Sequence, residues 1–152
     1  MNQDIKYMKL ALNEAQKAAL LDEVPVGAVI VKDDVVIAKA HNLRQKKKSV
    51  LGHAEILAIQ KANKKLDSWM LDDCTLYVTV EPCVMCAGTI IQSRIKRVVY
   101  ATHEPKFGAL GSVIDLSLVN DFNHQIIVEK GILQEEASLL MKEFFKNIRN
   151  KK

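Results

Sequence analysis

The sequence has few cysteines, no long apolar run and no strong net charge, and each shortage excludes a class of protein. Three cysteines among 152 residues are too few, and odd in number, for the disulfide framework of a small secreted domain. No apolar run approaches the ~20 residues that a membrane-spanning helix needs. The first residues also lack the apolar core of a signal peptide. We therefore expect a cytoplasmic protein with no part in a membrane.

The net charge of +4, from 22 basic and 18 acidic residues, does not by itself predict a nucleic-acid partner. The distribution of the charge is more informative, because basic residues are concentrated at 44–48 and again at 142–152. Such clusters can attract phosphate groups. A solvated loop and a basic tail would have the same composition. A nucleic-acid hypothesis therefore has to rest on other residues.

The hydrophobic pattern predicts one domain over residues 1–152, without repeats or linkers. Its predicted element order is α-β-β-α-β-α-β-β-α. This order favours a mixed sheet of five strands with helices on both faces. The predicted helices are 4–21, 53–65, 82–92 and 134–148, the strands are 26–32, 35–40, 74–80, 97–101 and 125–129, and the main loops are 43–51 and 103–112.

Two short motifs combine one imidazole, two thiols and one carboxylate. They are His53-Ala54-Glu55 and Pro82-Cys83-Val84-Met85-Cys86. One His and two Cys can hold a zinc ion on three sides and leave a fourth position for water. Both motifs are predicted at helix starts, where unpaired N–H groups and partial positive charge favour the thiolate form that binds metal. The pattern predicts a zinc site of His53, Cys83 and Cys86.

Glu55 lies two residues after His53, so it is close enough to move protons without binding the metal. Zinc lowers the pKa of its bound water towards ~7, and this arrangement of His, Glu and paired Cys is typical of nucleobase deaminases. Glu55 would take a proton from the water, give it to a ring nitrogen and later protonate the departing amine. The predicted reaction is therefore the hydrolytic release of an exocyclic amine as ammonia.

Three alternatives remain open from these residues. Cys83 and Cys86 at a helix start could form a thioredoxin-like redox pair. Cys74 could close a structural zinc site as a fourth ligand, although a lone Cys is more often a small core residue. A zinc-stabilised module that only binds RNA would not need Glu55. The other histidines have no companion at ligand spacing and are predicted to lie at the surface or in loops; they are His41, His103 and His124.

Beyond the metal motif, the chain resembles the bacterial tRNA-specific adenosine deaminases, which convert the wobble adenosine of an arginine tRNA to inosine. The metal motif also occurs in cytosine, guanine and riboflavin-pathway deaminases. Residues 105–112, Pro-Lys-Phe-Gly-Ala-Leu-Gly-Ser, and the aromatic, basic C-terminal helix are more particular to the tRNA branch. The similar segments span nearly the whole chain and include 23–28, 41–42, 53–55, 75–79, 81–88, 93–95, 97–100, 105–112, 130–133 and 144–146.

The resemblance implies a three-layer α-β-α cytidine-deaminase-like fold, one zinc ion per chain and a homodimer. It implies that His53, Cys83 and Cys86 bind the zinc and that Glu55 is the proton shuttle. The implied partner is a tRNA anticodon stem-loop, and the runner-up is a free-base or nucleoside deaminase acting on guanine or cytosine. The implied substrate-binding residues are Asn42, Ala54, Pro82, Lys106, Phe144, Phe145 and Arg149.

The chain departs from the family pattern at two places, and one assignment has a simpler alternative. Glu104 replaces the Asp that usually precedes Pro-Lys, and residues 49–52, Ser-Val-Leu-Gly, replace a Pro-Thr-Ala-like entry to the His-Ala-Glu helix. At least one of Phe144 and Phe145 is expected in the core rather than on the RNA.

Overall fold

The computed structural model describes residues 2–151. The two ends of the predicted domain, Met1 and Lys152, therefore lie outside the described residues, and Lys152 is also the last residue of the predicted basic cluster. None of the helices within this range is long and apolar enough to span a membrane. A short 3-10 helix covers Leu116–Leu118. The other elements are α1 (Asn2–Leu20), β1 (Gly27–Lys32), β2 (Val35–His41), α2 (Arg44–Lys47), α3 (Ala54–Leu66), β3 (Cys74–Val80), α4 (Val84–Gln92), β4 (Arg97–Thr102), β5 (Ile127–Lys130) and α5 (Gln134–Asn150).

The five strands form one mixed sheet in the order β2-β1-β3-β4-β5. Strand β1 is antiparallel to both β2 and β3, whereas β3, β4 and β5 are parallel. Side chains alternate across β1, since Ala28 and Ile30 belong to one core cluster and Val29 and Val31 to the other. Helices α3 and α4 cover the first face, and α1 and α5 cover the second. The predicted α/β fold, with helices on both faces of a five-stranded sheet, is confirmed.

One local prediction is wrong, and one predicted helix is confirmed with a start two residues later. The predicted loop 43–51 contains the helical turn α2, because the buried Glu23 carboxylate accepts the N–H groups of Gln45 and Lys46. The helix predicted from Pro82 begins instead at Val84, with Cys83 as its N-cap. Pro82 stays outside α4 because its carbonyl accepts the N–H of Ala109 at 2.9 Å.

The topology brings the starts of α3 and α4 to the same edge of the sheet. Helix α4 is the crossover between the parallel strands β3 and β4, so it starts at the carboxyl end of β3. Helix α3 packs beside α4 on the same face and contacts β2 and β1. In open α/β sheets this edge is where binding sites form, because the loops that follow the strands converge there.

An ion-pair network ties α1 to the sheet on the opposite face from α3 and α4. Asp4 accepts hydrogen bonds from both terminal nitrogens of Arg97, at 2.9 and 2.6 Å, and from the Tyr77 hydroxyl at 2.7 Å. Arg97 also lies 2.8 Å from the Glu129 carboxylate. Hydrogen bonding to the Arg97 guanidinium holds the pKa of Asp4 below its ordinary value. The network therefore stabilises the ionised form of Asp4.

We predict that Asp4→Asn lowers the free energy of unfolding by about 2–3 kcal/mol at pH 7, because Arg97 loses its principal partner. The pKa of Asp4 is lower in the folded than in the unfolded chain. The stabilising effect of the Asp4 carboxylate is therefore complete above the unfolded pKa of about 4 and is lost as the pH falls through the folded pKa. Urea unfolding of both proteins at pH 7 and pH 3 tests this. An equal difference in stability at both pH values would contradict it.

Candidate active site

The site is built from the residues that precede two helices. His53 is the N-cap of α3, with φ −77° and ψ 145°, and Cys83 is the N-cap of α4, with φ −75° and ψ 177°. Both residues are therefore extended, and their side chains are presented at the helix starts rather than along the helices. Cys86 is buried in the first turn of α4. The two helices thus bring one imidazole and two thiols together.

The three side chains have the spacing of metal ligands. His53 Nδ1 lies 3.8 Å from Cys83 Sγ and 3.4 Å from Cys86 Sγ, and all three ligand atoms lie within 4.8 Å of one another. A tetrahedral zinc ion with ordinary bond lengths separates nitrogen and sulfur ligands by about 3.6 Å. The donor set and its spacing therefore fit such an ion.

Cys74 does not join this group. Among residues 2–151, the group that could hold a metal consists of His53, Cys83 and Cys86. Cys74 is fully buried at the start of β3, where burial raises the pKa of its thiol to about 11. A closed site with Cys74 as its fourth ligand is therefore not formed, and Cys74 is a core residue.

The two cysteines of the motif differ in their affinity for protons. A hydrogen bond from Cys86 and a second contact with His53 lower the pKa of Cys83 to about 4, although burial opposes this. The pKa of Cys86 is raised, because Cys86 holds the proton of that hydrogen bond and is itself buried. The hydrogen bond to Cys83 raises the pKa of His53. Cys83 is therefore a thiolate at neutral pH.

Glu55 is buried in the first turn of α3, two residues from His53. Burial raises the pKa of its carboxyl group to about 7, against the opposing effects of a backbone hydrogen bond and of the His53 charge. A carboxyl group whose pKa lies near neutrality can both accept and release a proton at physiological pH. Glu55 is therefore suited to proton transfer beside the three possible metal ligands.

Glu81, which the sequence analysis did not single out, organises a loop beside the site. Its side chain is fully buried. Its carboxylate accepts the N–H groups of Glu104, Leu110 and Ser112 at 3.1, 3.0 and 3.0 Å, together with the Ser112 hydroxyl. These hydrogen bonds outweigh burial and lower the pKa of Glu81. The sequence does contain a signal for this role: Glu81 directly follows a buried strand, and a buried carboxylate needs hydrogen-bond partners.

Four of the predicted substrate residues lie on segments that border the His53 group. Ala54 and Pro82 are buried directly beside His53 and Cys83. The Asn42 side chain donates to the Val24 carbonyl at 3.2 Å and accepts the Arg44 N–H at 3.0 Å, which leaves one donor and one acceptor free for a ligand. Lys106 is exposed on the loop that Glu81 holds.

The other three predicted substrate residues lie on α5, which packs on the far face of the sheet from α3 and α4. Phe144 is only 7% exposed, as expected for a core residue, whereas Phe145 is 42% exposed. Arg149 is exposed near the end of the helix. The single chain therefore leaves Phe145 and Arg149 exposed and does not bring them beside His53.

The fold and the site define a deaminase: a five-stranded mixed sheet carries a His-Cys-Cys group and a buried Glu at two helix starts. The family model for MafB19-like deaminases matches residues 1–149. The chain is 46% identical over 152 residues to a tRNA-specific adenosine deaminase of Bacillus subtilis (strain 168), covering all of this chain and 94% of that protein. The chain thus belongs to the tRNA-specific adenosine deaminases.

Solved structures agree with this family. One, from work on A-to-I editing by tRNA:A34 deaminases at the wobble position of transfer RNA, superposes with a TM-score of 0.86 at 39% identity, covering 89% of this chain and 98% of that chain. A guanine deaminase from Nitrosomonas europaea has a TM-score of 0.77 at 25% identity, covering 92% and 83% of the two chains. Both the fold and the identity favour the tRNA branch.

We predict that Cys83 is the first cysteine to be alkylated in the metal-free protein. The thiolate is the reactive form, and at pH 6 the lowered pKa keeps Cys83 ionised, whereas Cys74 is protonated. Cys83 is also half-exposed, whereas Cys74 is buried. A short pulse of iodoacetamide at pH 6, followed by peptide mass spectrometry, measures the order of modification. Cys83→Ser is the control and should remain almost unmodified. Preferential labelling of Cys74 would contradict the prediction.

Proposed function

We propose that this protein hydrolyses the exocyclic amine of the wobble adenosine in an arginine tRNA, giving inosine and ammonia, in the cytoplasm. It does so with one zinc ion per chain, held by His53, Cys83 and Cys86. The observation that carries the proposal is that His53 Nδ1 lies 3.8 and 3.4 Å from the sulfurs of Cys83 and Cys86. The buried carboxyl group of Glu55 lies two residues after His53. The full-length similarity to tRNA-specific adenosine deaminases supports the substrate.

The proposed roles of the side chains follow from their positions. When bound, zinc would supply activated water at neutral pH. Glu55 would move both protons of the attacking water: its carboxylate would accept the first and pass it to the ring nitrogen, then accept the second and give it to the departing amine. Its pKa of about 7 suits it to both directions of transfer. Ala54 and Pro82 border the base beside the ligands, and Asn42 hydrogen-bonds its edge with the donor and acceptor that the fold leaves free.

The anticodon loop would be held by two basic clusters that the fold brings together. Lys151 lies 3.1 Å from Asp22, and the neighbouring Glu23 accepts the N–H groups of Gln45 and Lys46. Lys151, at the end of α5, and the basic turn α2 therefore both contact residues 22–23. Such a surface supplies phosphate contacts, and the exposed ring of Phe145 supplies a stacking surface for an unpaired base.

We further propose that the protein is a homodimer that pairs through α4. No residue of α4 is charged, and a helix that is largely apolar is normally covered over most of its surface. In the single chain, however, Val84 is 57% exposed, and a Cβ on Gly88 would meet no atom within 4 Å apart from its chain neighbours and the backbone of its own helix. A second copy of this chain would cover that surface and lie close to Cys83 and Cys86.

The test of the proposed function is incubation of the zinc-loaded protein with an arginine tRNA anticodon stem-loop, with inosine measured by mass spectrometry. Free guanine, cytosine and adenosine are assayed in parallel. We expect inosine only at the wobble position, and a rate that falls as salt is raised, because basic residues contact the phosphates. A preference for free guanine or cytosine would replace the tRNA assignment with that of a free-base deaminase. The guanine deaminase from Nitrosomonas europaea has the same fold.

We predict that Glu55→Gln lowers the rate of inosine formation by about 10²–10⁴-fold, since the proton transfers lose their carrier. The variant should still bind one zinc per chain, because Glu55 is not among the three ligands. Metal analysis and single-turnover kinetics measure the two effects separately. Glu135→Gln, which changes a first-turn carboxylate of α5 instead, is the matched control and should keep full activity. A Glu55→Gln variant with most of its activity would refute the proposed mechanism.

A further inference from the structure

The loop at residues 103–112 has no regular secondary structure of its own and takes its shape from Glu81. Its N–H groups need partners, because unpaired backbone groups are costly to bury. Glu81 Oε1 accepts from the Glu104 N–H and the Ser112 hydroxyl, and Oε2 accepts from the N–H groups of Leu110 and Ser112. One buried carboxylate thus holds both ends of the loop.

The loop also packs against the segment between β3 and α4, which carries a proposed zinc ligand. Gly108 forms an antiparallel bridge with Cys83, and the Ala109 N–H donates to the Pro82 carbonyl at 2.9 Å. A Cβ on Gly108 would lie 2.5 Å from the Glu81 carboxylate and 2.5 Å from the Glu104 carbonyl oxygen, so only glycine allows this approach. The position of the loop relative to Cys83 is therefore set by direct backbone contacts with Pro82 and Cys83 and by the close approach of Gly108 to Glu81.

The tip of this loop carries a cation and an aromatic ring that the chain leaves exposed. Lys106 is exposed, and the next residue, Phe107, is 68% exposed. A lysine beside an exposed aromatic ring is the combination that binds single-stranded nucleic acid, since one contacts phosphate and the other stacks on a base. A loop that is already held in place binds without the entropy cost of ordering it.

We infer that Glu81 is a positioning residue for RNA binding, because it holds Lys106 and Phe107 where the nucleotides beside the target adenosine lie. This inference rests on the proposed function and extends it to a residue that takes no part in the chemistry. Lys106 and Phe107 would contact the RNA equally in the ground state and in the transition state. Loss of Glu81 should therefore raise KM more than it lowers kcat.

The kinetic test compares zinc-loaded Glu81→Gln with the unchanged protein on the anticodon stem-loop. An amide nitrogen cannot accept a hydrogen bond, so either orientation of Gln leaves two of the four donors without an acceptor. We expect KM to rise about tenfold, with kcat within about twofold and one zinc per chain retained. Asp4→Asn, which breaks a buried ion pair on the opposite face, is the matched control and should leave KM unchanged.

A second variant covers the case in which Glu81→Gln does not fold. Gly108→Ala keeps the carboxylate but pushes the loop away from it, so it should raise KM in the same way. Unchanged KM in every variant that folds, or an equal rise in KM for Asp4→Asn, would overturn the inference.

Amide hydrogen exchange gives a readout that does not depend on activity. In RNA-free Glu81→Gln, either the N–H of Glu104 or the N–H groups of Leu110 and Ser112 should exchange about tenfold faster, because one of the two acceptor oxygens becomes an amide nitrogen, whereas those of β3 should not change. Unchanged exchange at these amides would show that Glu81 does not hold the loop. If the unchanged protein fails to deaminate the stem-loop but exchange follows this pattern, the proposed substrate fails and the role of Glu81 in holding the loop stands.

Discussion

The site depends on the packing of α3 and α4 side by side on one face of the sheet. This packing brings two helix starts to one edge, where His53 and Cys83 occupy equivalent N-cap positions. Neither residue makes a capping hydrogen bond with its side chain, so both side chains are available to a ligand. The unpaired N–H groups and partial positive charge of a helix start also favour a thiolate. The same packing therefore sets both the geometry and the chemistry of the proposed metal site.

Three buried glutamates near this edge show how surroundings decide the role of a side chain. Glu23 and Glu81 accept backbone N–H groups from the segments that they hold, and hydrogen bonds keep Glu81 ionised despite its burial. The pKa of Glu55, by contrast, is raised to about 7, because burial outweighs the groups that favour its charge. The first two are suited to fixing loops, whereas Glu55 is suited to exchanging a proton.

The arrangement of charge follows from these anchored segments. Asp22 and Glu23 are neighbours in sequence, and they connect the end of α5 to the basic turn α2 through Lys151 and Lys46. The buried Glu23 therefore holds the basic turn α2 in place, whereas Asp22 and Lys151 form an ion pair at the surface. The composition, with a net charge of only +4, does not indicate that these two basic segments share an acidic neighbour. The proposed RNA contacts depend on this local arrangement of charge rather than on the charge of the whole chain.

The sequence by itself determined the features that depend on neighbouring residues. Apolar periodicity predicted the order of the major elements, and the two motifs predicted which side chains would meet, because each motif sits beside a helix start. Tertiary structure decided the features that depend on contacts between distant residues. Glu23 folds α2, Ala109 keeps Pro82 out of α4, and tertiary packing buries Phe144 while Phe145 stays exposed. The role of Glu81 belongs with these, because its hydrogen-bond partners lie more than twenty residues further along the chain and only the folded sheet brings them to it.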